Sequence, residues 1–151
     1  MCRSTRATDD RGAAAVEFAL VSVLLLTLLF GIIQYSYFFY QSQGATTTAR
    51  EAARLAAVGV TSCTSFESAV QLRADANGTD IASPPPANIT LSVTKEGNSG
   101  SGPEPGDRAV VTVVWVPQKF GFPFVPFLSG NQSSEAETRV ESSGAMTGLT
   151  C

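Results

Sequence analysis

The chain has 151 residues, 44% of them hydrophobic, and its 10 basic and 13 acidic side chains leave a net charge of −3. With no basic cluster beyond the first dozen residues, nucleic acid is excluded as a partner. The absence of histidine removes the commonest general base and metal ligand, and no nucleophile elbow, zinc-helix motif or convincing acid pair replaces it. No enzyme, cofactor, metal site or small-molecule substrate is therefore expected.

In chain order, residues 1–12 are a polar leader carrying Arg3, Arg6 and Arg11, too short and too polar to fold. From Ala13 to Gln34 the chain is apolar, and as a helix it would extend about 33 Å, close to the thickness of a bilayer's hydrocarbon core. A cluster of aromatics follows: Tyr35, Tyr37, Phe38, Phe39 and Tyr40. Arginines before the span and amphipathic rings after it predict a single-pass cell-membrane protein with a cytoplasmic N-terminus and an extracytoplasmic C-terminal domain. The small-residue cleavage site of a secretory signal is not found after the apolar run, and the helical pattern continues through the aromatics.

Glu17 interrupts the apolar run one turn from its start. A carboxylate at mid-membrane costs on the order of 2.5–3.5 kcal/mol, less near an interface, and such residues usually have a partner. Cleavage after Gly12 would give Ala13 a new α-ammonium and make Glu17 the fifth residue of the mature chain. The two charges could then neutralise each other within one chain or between neighbours. The plainer alternative is a carboxylate that reaches headgroups and water.

The pattern Gly12-Ala13-Ala14-Ala15-Val16-Glu17-Phe18 resembles a type IV prepilin processing site. The longer run RGAAAVEFAL, then LLFGII and TTTAREAARLAAVG, resembles the TadE-like pilus-assembly proteins of tight-adherence (Flp-type) systems over roughly the first 60 residues. This resemblance implies processing at Gly12–Ala13 by a prepilin peptidase and an assembly role for Glu17 and Phe18. It also implies partners among other pilin or pseudopilin subunits and the pilus assembly platform, with possible incorporation in a pilus. Ser22 and Val23 stand where many relatives have a proline, and Gln34 where an acidic residue is common.

Residues 41–59 extend the helix amphipathically, with Ala45, Ala49, Ala52, Ala53 and Ala56 at helical spacing. Alanine on that face implies close approach of a partner surface, either the protein's own sheet or neighbouring helices. Gly59 is the expected C-cap. Thr64 to Glu67 forms a capping box for a second helix of about three turns, with Phe66, Ala69, Val70, Leu72, Arg73 and Ala76 giving its pattern and Asn77-Gly78 its end. Pro84, Pro85 and Pro86 form a rigid linker. Ile89, Leu91 and Val93 alternate with polar residues as a half-buried strand, and 109–116 reads as a central strand apolar on both faces. Ala136, Thr138 and Val140 alternate with Glu135, Glu137, Arg139 and Glu141 as a charged edge strand. Glu96, Glu104 and Asp107 in the intervening glycine-rich loop lack EF-hand spacing and read as solvated acids rather than a calcium site. The prolines of Phe120–Phe127 bar it from a central strand; its phenylalanines either fold against the sheet or helix or form a contact patch.

Cys2 would leave with the leader, so Cys63 and Cys151 are the candidates for one disulfide on the oxidising side of the membrane. The expected fold is α+β and pilin-like: a leader (1–12), a transmembrane helix with its aromatic belt (13–40), an amphipathic extension (41–59) and a small domain (60–151) with a short helix and an antiparallel sheet. Two functions compete, with an ectoenzyme a weak third for want of residues that meet the requirements of an active site. One is a minor pilin or pseudopilin of a tight-adherence pilus; the other is an uncleaved single-pass scaffold or adhesin.

Overall fold

The computed structural model describes residues 10–59, 62–79, 89–96, 102–118, 120–121, 130–142 and 151. Helix α1 (Asp10–Val58) is 49 residues long, about 73 Å at 1.5 Å per residue. No proline falls within it, and its glycines stand singly, so nothing in the backbone forces a stop. It begins three residues earlier than the leader boundary predicts, because Asp10 and Arg11 prolong a helix already propagating from the alanines. Ser22 and Thr27, the hydroxyls within the apolar half, donate back to the carbonyls of Ala19 and Val23 at 2.9 and 2.8 Å. They present no unpaired donor to an apolar surrounding.

The C-terminal end of α1 is closed by residues distant in sequence. Gly59 adopts φ 101° and its N–H reaches the Ala56 carbonyl at 3.3 Å, the positive-φ stop that glycine supplies cheaply. The N–H groups of Glu141 and Ser142 donate to the carbonyl of Ala57, and the Ser142 hydroxyl donates to that of Val58. Carbonyls that a helix end leaves without intrahelical donors are thereby satisfied.

Helix α2 (Cys63–Ala76) starts at a different cap from the one predicted. Ser62, with φ −157° and ψ 151°, accepts the N–H of Ser65 through its side chain at 3.3 Å. A serine two residues ahead of Thr64 offers the same capping oxygen, so the helix gains its first turn there and the Thr64–Glu67 box is not used. The buried residues of α2 are Phe66, Val70 and Ala74, four apart; Leu72, placed on the apolar pattern by sequence, is exposed. The helix ends at Ala76, with Asn77 as C-cap and Gly78 at φ 66°.

Strands β1 (Ile89–Thr94), β2 (Arg108–Trp115) and β3 (Gln132–Arg139) form an antiparallel sheet in the order β1-β2-β3. Leu91 faces Val111, which faces Ala136. The alternation in β1 is strict, with Ile89, Leu91 and Val93 buried and the threonines and serine between them exposed. Strand β2 is central, one residue earlier than predicted. It is apolar on both faces but only one is fully covered: Ala109, Val111, Val113 and Trp115 are buried, whereas Val110, Thr112 and Val114 are half-buried. The reason is a two-layer fold in which helices cover one side of the sheet. In β3, Glu135, Glu137 and Arg139 are exposed along the edge strand, and Arg108 of β2 meets Glu137 at 3.2 Å.

The core lies between the second half of α1, α2 and the covered sheet face. Ala45, Ala49, Ala52, Ala53 and Ala56 are all buried, and the last four share one cluster with Phe66, Val70, Ile89, Leu91, Val111 and Val113. The partner of the alanine stripe is thus the protein's own domain. Small side chains let the sheet approach the helix backbone closely, while apolar burial of about 25 cal/mol per Å² drives the contact.

Candidate functional site

Two regions of α1 stand out, and the first carries the residues that sequence singles out. At the beginning of α1, Gly12, Ala13, Glu17 and Phe18 are all exposed among the described residues. Glu17 lies four residues beyond Ala13, which places both on one side of the helix, and it makes no ion pair among the described residues. Val16, Phe18, Leu20 and Leu24 are likewise exposed. From Gly12 onward α1 is long and apolar enough to cross a membrane, and none of its most apolar window is buried. Exposed leucine and phenylalanine on that scale mark an apolar environment or a partner surface.

The second region, from Gln34 to Thr48, joins the span to the domain and was largely illegible in the sequence. After β2 the chain turns along α1 back toward the apolar half. Two buried glutamines, two turns apart on one face, receive it. Gln41 accepts the N–H of Gln118 through Oε1 at 2.9 Å. Gln34 donates through Nε2 to the Gln118 carbonyl at 3.0 Å, and its Oε1 accepts the N–H of Phe120 at 3.3 Å. Between them Phe38 packs on Trp115 with ring centroids 5.5 Å apart, and Tyr37 meets Phe120 edge-on at 5.0 Å. Residues 116–118, 120 and 121 therefore belong to a strap held to α1 by side-chain amides acting on backbone groups. The signal for this in the sequence is the spacing of Gln34 and Gln41 alone, two polar residues on one face of an otherwise apolar and aromatic stretch. Of the stretch Phe120–Phe127, Phe120 lies against the helix, as one reading of it expects; 122–129 lie outside the described residues, as do Pro84, Pro85 and Pro86.

The end of α2 docks on another side of the same region. Asn77 donates through Nδ2 to the Thr48 hydroxyl at 3.0 Å. The Tyr40 ring lies over Gly78, where a Cβ would stand 2.6 Å from the phenol oxygen. A Cβ on Gly44 would come 2.5 Å from the Asn77 carbonyl oxygen and 2.6 Å from Thr79 Oγ1. Glycine at 44 is thus required by a backbone approach. Gly44→Ala is expected to destabilise the domain by roughly 1–3 kcal/mol through overpacking, despite alanine's helix propensity. Gly31→Ala, with nothing within 4 Å of its would-be Cβ, should leave the domain's melting temperature unchanged. Thermal denaturation of the two variants in the same detergent provides the comparison.

At the far end of the sheet, Asp107 is buried and accepts the N–H groups of Glu96 and Glu104 at 3.2 and 2.9 Å. The Lys95 ammonium stands 3.7 Å from its carboxylate and 3.9 Å from that of Glu104. Lysine supplies the positive charge among these acids, and Asp107 ties the Lys95–Glu96 segment to Glu104 instead of being merely solvated. Among the described residues no three His, Cys, Asp or Glu side chains are grouped to hold a metal ion.

Cys63 and Cys151 are joined in a disulfide. Cys151 also exchanges backbone hydrogen bonds with Leu91, at 2.8 and 3.4 Å, on the edge of β1 that faces away from β2.

Residues 12–54 match the family model described as TadE-like protein. The match begins at the glycine before the apolar run and ends within the alanine stripe, leaving out α2 and the sheet. It supports a role associated with tight-adherence pili. No curated protein and no solved structure matches the chain.

Proposed function

Taking the TadE-like character of residues 12–54 as premise, we propose that the protein is a minor pilin or pseudopilin of a tight-adherence pilus, processed by a prepilin peptidase after Gly12. The observation that carries this reading is the exposed beginning of α1. Gly12, Ala13 and Glu17 lie in that order at the start of a long apolar helix whose first turns are exposed among the described residues. Its role is structural and not catalytic, in keeping with a chain that has no histidine. The span holds the subunit in the membrane, N-terminus inside, until the peptidase removes the leader. Glu17 then pairs with the Ala13 ammonium of its own chain or of a neighbour, which offsets the desolvation of both charges and sets the axial register of adjacent helices. Phe18, beside it, packs on the neighbouring helix. The remaining partners are other pilin subunits and the assembly platform.

A second reading, the uncleaved scaffold, is favoured by one detail: the Gly12–Ala13 bond lies inside α1, which already runs from Asp10. Cleavage there requires the first turn to unwind, a step that glycine makes cheaper by about 1 kcal/mol relative to alanine. Intact mass of the membrane form separates the two readings. The processed protein should begin at Ala13, and Gly12→Leu should abolish processing, since a peptidase cleft must approach that backbone closely. Leader retained on the wild-type protein in membranes or pili would establish the scaffold instead.

A further inference from the structure

The strap and the aromatic turn of α1 lie at a defined height. From Ala13 to Ile33 the apolar helix rises about 31 Å, the thickness of a hydrocarbon core, so Gln34 falls where hydrocarbon gives way to headgroups. An amide at that height is costly unless both its donor and its acceptor are used. Here both are, by the Gln118 carbonyl and the Phe120 N–H. The same bonds bring Phe120 down beside Ile33 and Tyr37. With Ile32, Ser36 and Tyr40, these residues line an open depression of about 390 Å³. Phe120, Ile33, Phe39 and Tyr40 are each well exposed, so an apolar and aromatic surface continues from the span onto the domain.

We propose that this surface is a membrane-interface ledge. The Gln34–Gln41 clamp presses the strap against α1 so that Phe120 enters the headgroup and upper acyl zone of the bilayer together with Tyr37 and Tyr40. The occupant of the depression is lipid. Three observations select it over a protein partner: the ledge is continuous with the apolar span, its height matches the edge of the hydrocarbon, and its rings include tyrosines, whose apolar body and polar tip suit that zone. The consequence is that the domain is seated on the membrane surface at a fixed height, not free to tilt about a flexible neck. This inference rests on α1 being a membrane span and is independent of leader processing and pilus assembly.

The test uses the full chain in phosphatidylcholine vesicles. The chain has a single tryptophan, so Phe120→Trp in a Trp115→Phe background reports from the strap alone. Lipids brominated at shallow acyl positions should quench it about twofold more than lipids brominated near the bilayer centre, as expected for a ring roughly 5–10 Å into the boundary. Adding Gln34→Ala and Gln41→Ala should remove that difference, while the Cys63–Cys151 bridge, read on a non-reducing gel, persists. Fluorescence indifferent to bromine, or dependent on protein concentration at constant lipid, would overturn the proposal, the latter in favour of a second copy. The unsubstituted chain gives an independent readout. A photoactivatable phospholipid should label Phe120 along with Ile33 and Tyr37, and labelling of the helix residues without Phe120 would also overturn it.

Discussion

Replacing Cys63 and Cys151 by serine is expected to destabilise the domain more than any single side-chain truncation on its surface. The bridge closes a loop with a sequence separation of 88 residues. The chain-entropy relation puts its effect on the order of 4–5 kcal/mol, within the range of about 2–5 usually lost with a native bridge in a small exported domain. More than a covalent link would be lost here. Cys151 is packed against the core and exchanges two backbone hydrogen bonds with Leu91, and with the bridge gone the end of the chain can fray from β1. Denaturant unfolding of the purified protein, with and without reductant, measures the difference; a change below about 1 kcal/mol would contradict this account. Alkylation gives a second reading. The processed chain should show no reactive thiol before reduction and two after it, whereas an unprocessed chain would keep Cys2 reactive throughout.

Glu17→Ala should leave membrane insertion and leader removal intact and yet lower incorporation into pili by roughly tenfold or more, a loss equivalent to at least about 1.4 kcal/mol per subunit. The direction follows from the proposed pair. A neutral side chain enters the bilayer more easily than a carboxylate, so insertion does not suffer, but the Ala13 ammonium loses its counter-charge in an apolar surrounding. Glu17→Gln should behave similarly, since an amide can hydrogen-bond the ammonium but carries no charge to balance it. Quantitative co-purification of the processed variant with its pilin partners, followed by a piliation count, provides the measurement. Piliation at the wild-type level with Glu17→Ala would leave Glu17 with no role beyond reaching headgroups.

What sequence made visible and what it hid divide along physical lines. Elements written in a single periodicity were legible: the long apolar run, the alanines of α1, the alternation of β1 and the charged edge of β3. The buried alanines even signalled close approach, though not which surface made it. Boundaries decided by competition between equivalent residues were not legible. Ser62 and Thr64 can each cap a helix, and only the folded chain shows that Ser62 does so. Contacts between side chains and distant backbone were nearly hidden, the spacing of two glutamines being their one trace. Gln34 and Gln41 hold the strap through groups 77 to 86 residues away in sequence, and Gly44 is explained only by a carbonyl from α2. In the loop acids, sequence suggested solvation, whereas Asp107 is buried between Lys95 and two backbone donors because its neighbouring strands bring those groups together.

The fastening of the domain to α1 at both ends of their contact has a mechanical meaning. Near the span, the Gln34–Gln41 clamp holds one end, with the Asn77–Thr48 bond about midway along the contact. At the other, Glu141 and Ser142 hold the carbonyls of Ala57 and Val58. Strand β2 runs between these points antiparallel to the helix, with α1 packed along the covered face of the sheet. A pull along the helix axis therefore loads both fastenings and the alanine seam at once, in shear. A pull across the axis opens them one after another, like a zip. A chain tensioned lengthwise would keep its domain under forces that would peel it away sideways.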